Sequence, residues 1–276
     1  MKIKFTKMEG LGNDFVVLDV RKQTRNLSFD NIRHIACRRT GVGCDQVLLI
    51  DNPVSVEANF SYKVFNSDGT PAEHCGNGFR CVALYFSLKQ EVSSQLCAEI
   101  DSKLYYADII SENRVKANMG KPNFKPQDIG RLEVAAQPEY EFHLGEETLK
   151  FGAVSMGNPH AVLKVKNLND IDVPTLGKAI QKNAGFRNGV NVGFFQLHDE
   201  STIDLKVWER GVGLTPACGT GACAAMAIGA KWGLLKNVVE VRQAGGNLQI
   251  EWNAEKNGDL TMTGPANHVF EGTMSI

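Results

Sequence analysis

Two short stretches of this chain have residue types and spacing that suit shared chemistry. Cys75-Gly76-Asn77-Gly78 and Cys218-Gly219-Thr220-Gly221 have the same pattern and lie 143 residues apart, about half of the 276-residue chain. Each leads into an apolar run, residues 81–86 in one case and 222–230 in the other. The second run is apolar on every face and the first nearly so, which predicts helices buried on all sides. A cysteine just before a helix sits where the first backbone N–H groups have no intrahelical partner and where the helix dipole adds partial positive charge. Both effects favour the thiolate, which otherwise forms at a pKa of ~8.5. The glycines leave those N–H groups open to a carboxylate or phosphate.

Two such sites placed face to face would put one sulfur on each side of a bound anion. Inversion at a carbon beside a carboxylate calls for that symmetry. One thiolate removes the α-proton, and the opposite thiol delivers a proton to the other face. A tuned thiol suits general acid–base work near neutral pH. The N–H groups at both helix starts would stabilise charge developing on the carboxylate. His160 and Glu209 stand in neighbouring motifs and suit the tuning of a thiol or the exchange of its proton. Arg210 offers a two-pronged grip for a second carboxylate. Asn13, Gln46, Asn66, Asn77, Asn158 and Asn191 are neutral donors and acceptors fitted to an amino-acid head group. No lysine motif for pyridoxal phosphate is evident, Gly10-Leu11-Gly12 does not complete a nucleotide fingerprint, and no C-x-x-C pair suggests a metal. Cofactor-free, metal-free catalysis on a small molecule is therefore expected.

The paired cysteines belong to a longer repeat. Val64-Phe65-Asn66 and Val207-Trp208-Glu209 share the 143-residue offset, and Gly12-Asn13-Asp14-Phe15 resembles Gly157-Asn158-Pro159-His160. A predicted helix and a Gly-Val loop follow in each half, 39–43 and 187–191. Strands are expected at 15–18, 46–50, 59–65, 161–165, 191–197, 202–208 and 238–241, from alternating or β-branched apolar residues. Amphipathic helices are expected at 29–39, with Ser28 or Asp30 as cap, and at 174–183 after Asp172. Strands do not alternate strictly with helices, so a doubly wound sheet is disfavoured. The expected fold is α+β: two pseudo-symmetric domains, each a mixed, mostly antiparallel strand barrel around a central buried helix. Residues 1–118, completed by a returning strand 265–276, would form one half and residues 119–264 the other.

Composition narrows the function classes. The formal net charge of −1 leaves no basic footprint for nucleic acid or an anionic membrane. No apolar run is long enough to span a bilayer, and residues 1–7 do not resemble a signal peptide. Seven cysteines and no secretion signal suggest a reduced, cytoplasmic protein. Cys37, Cys44, Cys81, Cys97 and Cys223 read as structural fillers. His34, His74, His143, His198 and His268 also read as structural.

The stretch Asn66-Ser67-Asp68-Gly69-Thr70-Pro71-Ala72-Glu73-His74-Cys75-Gly76-Asn77-Gly78-Phe79-Arg80-Cys81 closely resembles the signature of the diaminopimelate epimerase family. The same holds for Met8-Glu9-Gly10-Leu11-Gly12-Asn13-Asp14-Phe15, Met156-Gly157-Asn158-Pro159-His160, Glu209-Arg210-Gly211 and Ala217-Cys218-Gly219-Thr220-Gly221-Ala222. The resemblance runs nearly end to end. It implies cofactor-independent conversion of LL-2,6-diaminopimelate to the meso form, with Cys75 and Cys218 as the two bases and His160 and Glu209 adjusting them. It implies substrate contacts from Asn13, Gln46, Asn66, Gly76, Asn77, Asn158, Asn191, Glu209, Arg210, Gly219 and Thr220. It also implies a homodimer, with Phe270 where a dimer-contact tyrosine is common. Thr70 replaces the usual serine, and Gly189 stands where an arginine is usual. A proline or hydroxyproline racemase shares the paired-cysteine logic, but a ring amino acid offers no distal charged end to Asn66, Asn191 and Arg210. A thiol redox or metal protein and a non-catalytic amino-acid-binding module are the readings from other classes.

Overall fold

The computed structural model describes residues 2–23, 27–72, 75–92, 94–131, 135 and 137–276. His74 lies outside the described residues. The chain divides into two compact units, Met1–Asn118 with Thr263–Ile276, and Met119–Met262.

The first unit opens with the hairpin β1 (Lys2–Gly10) and β2 (Asn13–Asp19). Its turn residues Leu11 and Gly12 both have positive φ, 59° and 77°, the conformation of the tight turn that matches strand twist. Helix α1 (Phe29–Ala36) follows, then β3 (Gln46–Asp51), β4 (Phe60–Asn66) and the short β5 (Pro71–Ala72). Ser28 caps α1 in a capping box with Asn31. The helix stops at Ala36, earlier than its apolar spacing predicts. Gly41, Val42, Gly43 and Cys44 send their N–H groups back to its last carbonyls and to Cys37, so a turn replaces another helical one. Helix α2 (Gly76–Leu88), β6 (Gln95–Ile100), β7 (Lys103–Ser111) and β8 (Arg114–Asn118) complete the linear part.

The second unit repeats this order. It runs β9 (Tyr140–Leu144), β10 (Glu147–Ser155), β11 (Pro159–Val165), α3 (Val173–Asn183), β12 (Asn191–Asp199), β13 (Thr202–Glu209) and β14 (Gly213–Thr215). Helix α4 (Gly219–Lys231), β15 (Val238–Gln243) and β16 (Gly246–Glu251) follow. Strand β17 (Thr261–Pro265) carries the chain back to the first unit, where β18 (Asn267–Ser275) lies antiparallel to β1.

Pairing repeats as well. A parallel pair, β2 with β3 or β11 with β12, sits beside an antiparallel one, β3 with β4 or β12 with β13. The remaining ladders are mostly antiparallel. Helix α2 packs on β1, β2, β7, β8 and β18, and α4 on β10, β11, β12, β13, β15 and β16. Residues 76–86 of α2 and 219–229 of α4 are all buried. This is the expected α+β arrangement, a mixed sheet curled about a helix apolar on every side. Such a helix cannot face water, so the sheet must wrap it. No helix among the described residues is long and apolar enough to cross a membrane.

Candidate functional site

In the first unit the site residues stand at the ends of adjacent strands. Phe15 pairs with Gln46 across β2 and β3, and Gln46 with Asn66 across β3 and β4. Asn13 begins β2. The Gln46 Nε2 donates to Asn66 Oδ1 at 3.3 Å, and Asn66 Nδ2 donates to Thr70 Oγ1 at 3.2 Å. The Thr70 hydroxyl donates to Asp68 at 2.6 Å, so threonine in place of serine keeps the hydroxyl that holds Asn66. Asn13 Oδ1 and Gln46 Oε1 are buried acceptors with no partner among the described residues. Nearby, Asp14 is held by Lys7 at 2.6 Å and by Arg38 at 2.7 Å, and those bonds keep its carboxyl well below the usual range against the opposing effect of burial.

Cys75 is the N-cap of α2, with extended backbone and no side-chain capping bond. The Phe79 N–H returns to the Cys75 carbonyl at 2.8 Å, so the amides of residues 76–78 have no intrahelical acceptor. Gly78 sits where neighbouring side chains approach closely. A Cβ there would lie 3.2 Å from Leu48 and 3.3 Å from Phe15. Arg80, within the signature stretch but given no role there, is wholly buried beneath this turn. It donates to Asn77 Oδ1 at 3.0 Å, to the Gly76 carbonyl at 3.4 Å and to the Pro265 carbonyl at 3.2 Å. It thereby fixes the orientation of the Asn77 amide.

In the second unit the equivalent positions carry ionisable groups. His160 pairs with Asn191 across β11 and β12, as Phe15 does with Gln46. Glu209 ends β13 beside them, in the place that Asn66 takes in β4. Cys218 caps α4 and is 4% exposed. Its thiol donates to Glu209 Oε2 at 3.1 Å, and the Thr220 hydroxyl lies 3.7 Å from the sulfur. The second oxygen of Glu209 accepts from the Thr215 hydroxyl. Burial, then the charge and hydrogen bond of Glu209, push the Cys218 thiol well above its usual range, against weaker opposing bonds from the Gly221 amide and Thr220. The expectation that a helix start favours thiolate is therefore corrected for Cys218: desolvation and an adjacent carboxylate outweigh the dipole. A Cβ at Gly221 would stand 3.2 Å from the Cys218 sulfur and 2.8 Å from Val207, so a side chain there would force Val207 to shift.

His160 is fully buried. Its Nε2 lies 2.9 Å from Asn158 Oδ1, which assigns the proton to Nε2 and leaves Nδ1 an acceptor without a partner among the described residues. Burial, aided by Arg210, lowers its pKa to about 3, so the ring is neutral at physiological pH. Its hydrogen bond goes to Asn158, which in turn donates toward Thr220 at 3.5 Å. Asn191 Oδ1 accepts the Arg210 N–H at 2.8 Å, and Arg210 Nη1 donates to the Asn188 carbonyl at 3.0 Å. A Cβ at Gly189 would lie 3.1 Å from Arg210 Cδ. A side chain at position 189 would therefore require the Arg210 side chain to give by a few tenths of an ångström.

Folded His160 resists protonation until about pH 3, whereas an unfolded histidine takes its proton near 6.5. Between those values the unfolded state binds more protons. Stability is therefore expected to fall as pH drops from about 6.5 toward 3, by on the order of 4 kcal/mol from this group. Denaturation midpoints measured from pH 7 to pH 4 should decline less steeply in His160→Gln than in the parent. Parallel slopes would contradict this.

Thr215 and Gln243 were missed by the sequence reading. Gln243 Oε1 accepts the Cys218 N–H at 2.8 Å. The Gln243-Ala244-Gly245-Gly246 pattern signals a hairpin, but nothing in it says which backbone the hairpin reaches. Among the described residues no group of three or more His, Cys, Asp or Glu is placed to hold a metal ion. All seven cysteines are free thiols.

A sequence model of the diaminopimelate epimerase family matches residues 5–125 and 152–269. The diaminopimelate epimerase of Teredinibacter turnerae is 44% identical over 278 residues, and that of Alkalilimnicola ehrlichii 45% over 279, each aligned over 100% of both chains. Among solved structures, a hydroxyproline epimerase from Agrobacterium vitis with bound trans-4-hydroxy-L-proline superposes with a TM-score of 0.72 at 14% identity. That match covers 100% of this chain and 93% of the other. A PhzF-family phenazine biosynthesis protein from Bacillus anthracis matches with a TM-score of 0.66 at 17% identity over 100% of both chains. At such identities these two structures speak to fold alone.

Proposed function

The chain belongs to the diaminopimelate epimerase family, and from that premise we propose that it converts LL-2,6-diaminopimelate to the meso isomer with Cys75 and Cys218 as its two acid–base groups. The observation that carries the mechanism is the bond from the Cys218 thiol to Glu209 at 3.1 Å. It supports reading Cys218 as the protonated partner in the resting enzyme. Cys75, capping the matching helix without a carboxylate at the Asn66 position, is then the base. It takes the α-proton while Cys218 delivers its own to the opposite face, and the reverse reaction exchanges the roles.

The N–H groups at the starts of α2 and α4, including those of Gly76, Asn77, Gly219 and Thr220, bind the reacting carboxylate. As its oxygens gain charge in the transition state, these fixed donors stabilise it without reorganising. Arg210 takes the distal carboxylate. The unpartnered acceptors Asn13 Oδ1 and Gln46 Oε1, with Asn66, Asn158, Asn191 and Glu209, take substrate N–H groups. Neutral His160 keeps Asn158 oriented toward Thr220 and acts through that arrangement rather than through charge. The two units serve as the two halves of the enzyme. We place it in the reducing cytoplasm, where free thiols persist, as a homodimer. Phe270, 45% exposed with its ring edge-on to Phe5, lies in the contact.

The test is to incubate the reduced protein with LL-diaminopimelate in deuterated water. Loss of the α-proton signal and appearance of the meso isomer carrying deuterium are expected. Absence of both exchange and isomerisation would overturn the proposal.

A further inference from the structure

Gln243 ends β15 and pairs with Gly246 across the turn into β16. The Gly245 N–H donates to the Pro216 carbonyl at 2.8 Å. With Gln243 Oε1 on the Cys218 N–H at 2.8 Å, the hairpin tip holds the segment leading into α4 at two points. The bond to Cys218 also settles which way the amide faces. The oxygen must meet the N–H, so the NH2 group takes the other branch. There Nε2 is buried and has no acceptor among the described residues. A buried donor left without a partner is costly and calls for an explanation.

The reaction supplies one. When Cys218 gives its proton to the substrate carbon, a thiolate appears beside the Glu209 carboxylate, in a buried place that already disfavours charge. Donors that are idle in the thiol form are what such a change requires. The position matching Gln243 at the end of β6 is Ile100, which has no polar side-chain atom. The device is therefore confined to the half that holds a carboxylate against its thiol.

We infer that Gln243 is a positioning residue for Cys218: its oxygen fixes the cysteine backbone so that the thiol meets Glu209, and its Nε2 donates to the sulfur when that becomes a thiolate. This deepens the two-thiol reading and rests on it. No group is transferred to or from Gln243.

Two variants separate its functions. Gln243→Glu keeps an acceptor for the Cys218 N–H and removes the donor. Gln243→Met removes both without adding charge. Each is expected to lower kcat at least about tenfold, with KM within about twofold and an unchanged denaturation midpoint for Gln243→Glu. In both, loss of the donor raises the Cys218 pKa, so its limb of the pH–rate profile moves up by about one unit. A second readout does not depend on substrate. Alkylation by iodoacetamide, followed by peptide mass at Cys218 with Cys75 as the control in the same sample, should show its pH midpoint raised at Cys218 alone. An unshifted Cys218 midpoint in Gln243→Met overturns the inference, whatever the parent does with diaminopimelate. So does lost activity with an unmoved pH profile, which would mean a purely structural role. A parent protein that neither exchanges nor isomerises diaminopimelate while the alkylation shift appears would instead overturn the proposed reaction.

Discussion

Cys75→Ala and Cys218→Ala are each expected to abolish epimerisation, with kcat lowered at least about 10²–10⁴-fold, the range of a lost acid–base group. Both changes remove a sulfur from the N-cap of a buried helix and leave its backbone amides in place, so substrate should still bind. The informative residue of activity is isotopic. With one thiol gone, the remaining thiol can still take the proton that faces it and return deuterium to the same face. Each variant should therefore wash out the α-proton of one isomer only, and the two variants should prefer opposite isomers. Proton NMR in deuterated water reads this directly. Exchange of the same isomer by both variants, or epimerisation by either at the parental rate, would rule out a two-thiol mechanism.

Glu209→Gln is the second large effect. The Glu209 carboxylate receives the Cys218 thiol at 3.1 Å and the Thr215 hydroxyl on its other oxygen. A glutamine oxygen can accept one of these bonds but carries no charge. Burial remains the first cause of the raised Cys218 pKa; the charge and hydrogen bond of Glu209 are the next. Removing the charge must lower that pKa. The thiol form, the proposed acid, is then lost at lower pH, and the alkaline limb of the pH–rate profile should move down by about 1–3 units. Its direction is opposite to that expected for the Gln243 variants, because one change removes a negative charge and the other removes a donor. A loss of about 10²-fold in kcat at neutral pH should accompany it. An alkaline limb that stays in place would show that Glu209 does not set the Cys218 proton affinity.

The two halves differ in a way that the repeat alone conceals. Asn66 and Glu209 are equivalent in the chain, as are Phe15 and His160, and Asn77 and Thr220. In the first two of these pairs the first unit carries a neutral residue and the second an ionisable one. A duplicated backbone thus holds Cys218 against a carboxylate, Glu209, whose counterpart in the first half is the neutral Asn66. Gly189 and Arg210 show a similar dependence on packing. The glycine looks like a local departure from the family pattern until the arginine side chain is seen lying across it.

Local patterns specified a great deal. The apolar runs after Cys75 and Cys218 required buried helices, because no face of either can meet water. Asp172 was readable as a cap from its side-chain chemistry alone; for α1 that chemistry offered Ser28 or Asp30, and the fold uses Ser28, with Asp30 inside the first turn. The repeated cysteines, together with Asn13, Gln46, His160 and Glu209, pointed to proton transfer beside a carboxylate through residue type and order. Arg80 beneath Asn77, Gln243 on the Cys218 amide and Thr215 on Glu209 were not readable. Gln243 and Thr215 act on neighbours that the fold supplies across strands or turns, and the burial of Arg80 and its bond to the Pro265 carbonyl likewise come from distant chain; partners of that kind leave no periodic trace in a sequence. The resting proton of Cys218 belongs to the same class. Sequence could place a thiol at a helix start, where the dipole lowers its pKa, but burial and a carboxylate 3.1 Å away reverse that tendency. Desolvation and charge proximity are properties of three-dimensional distance, so only the folded chain could decide them.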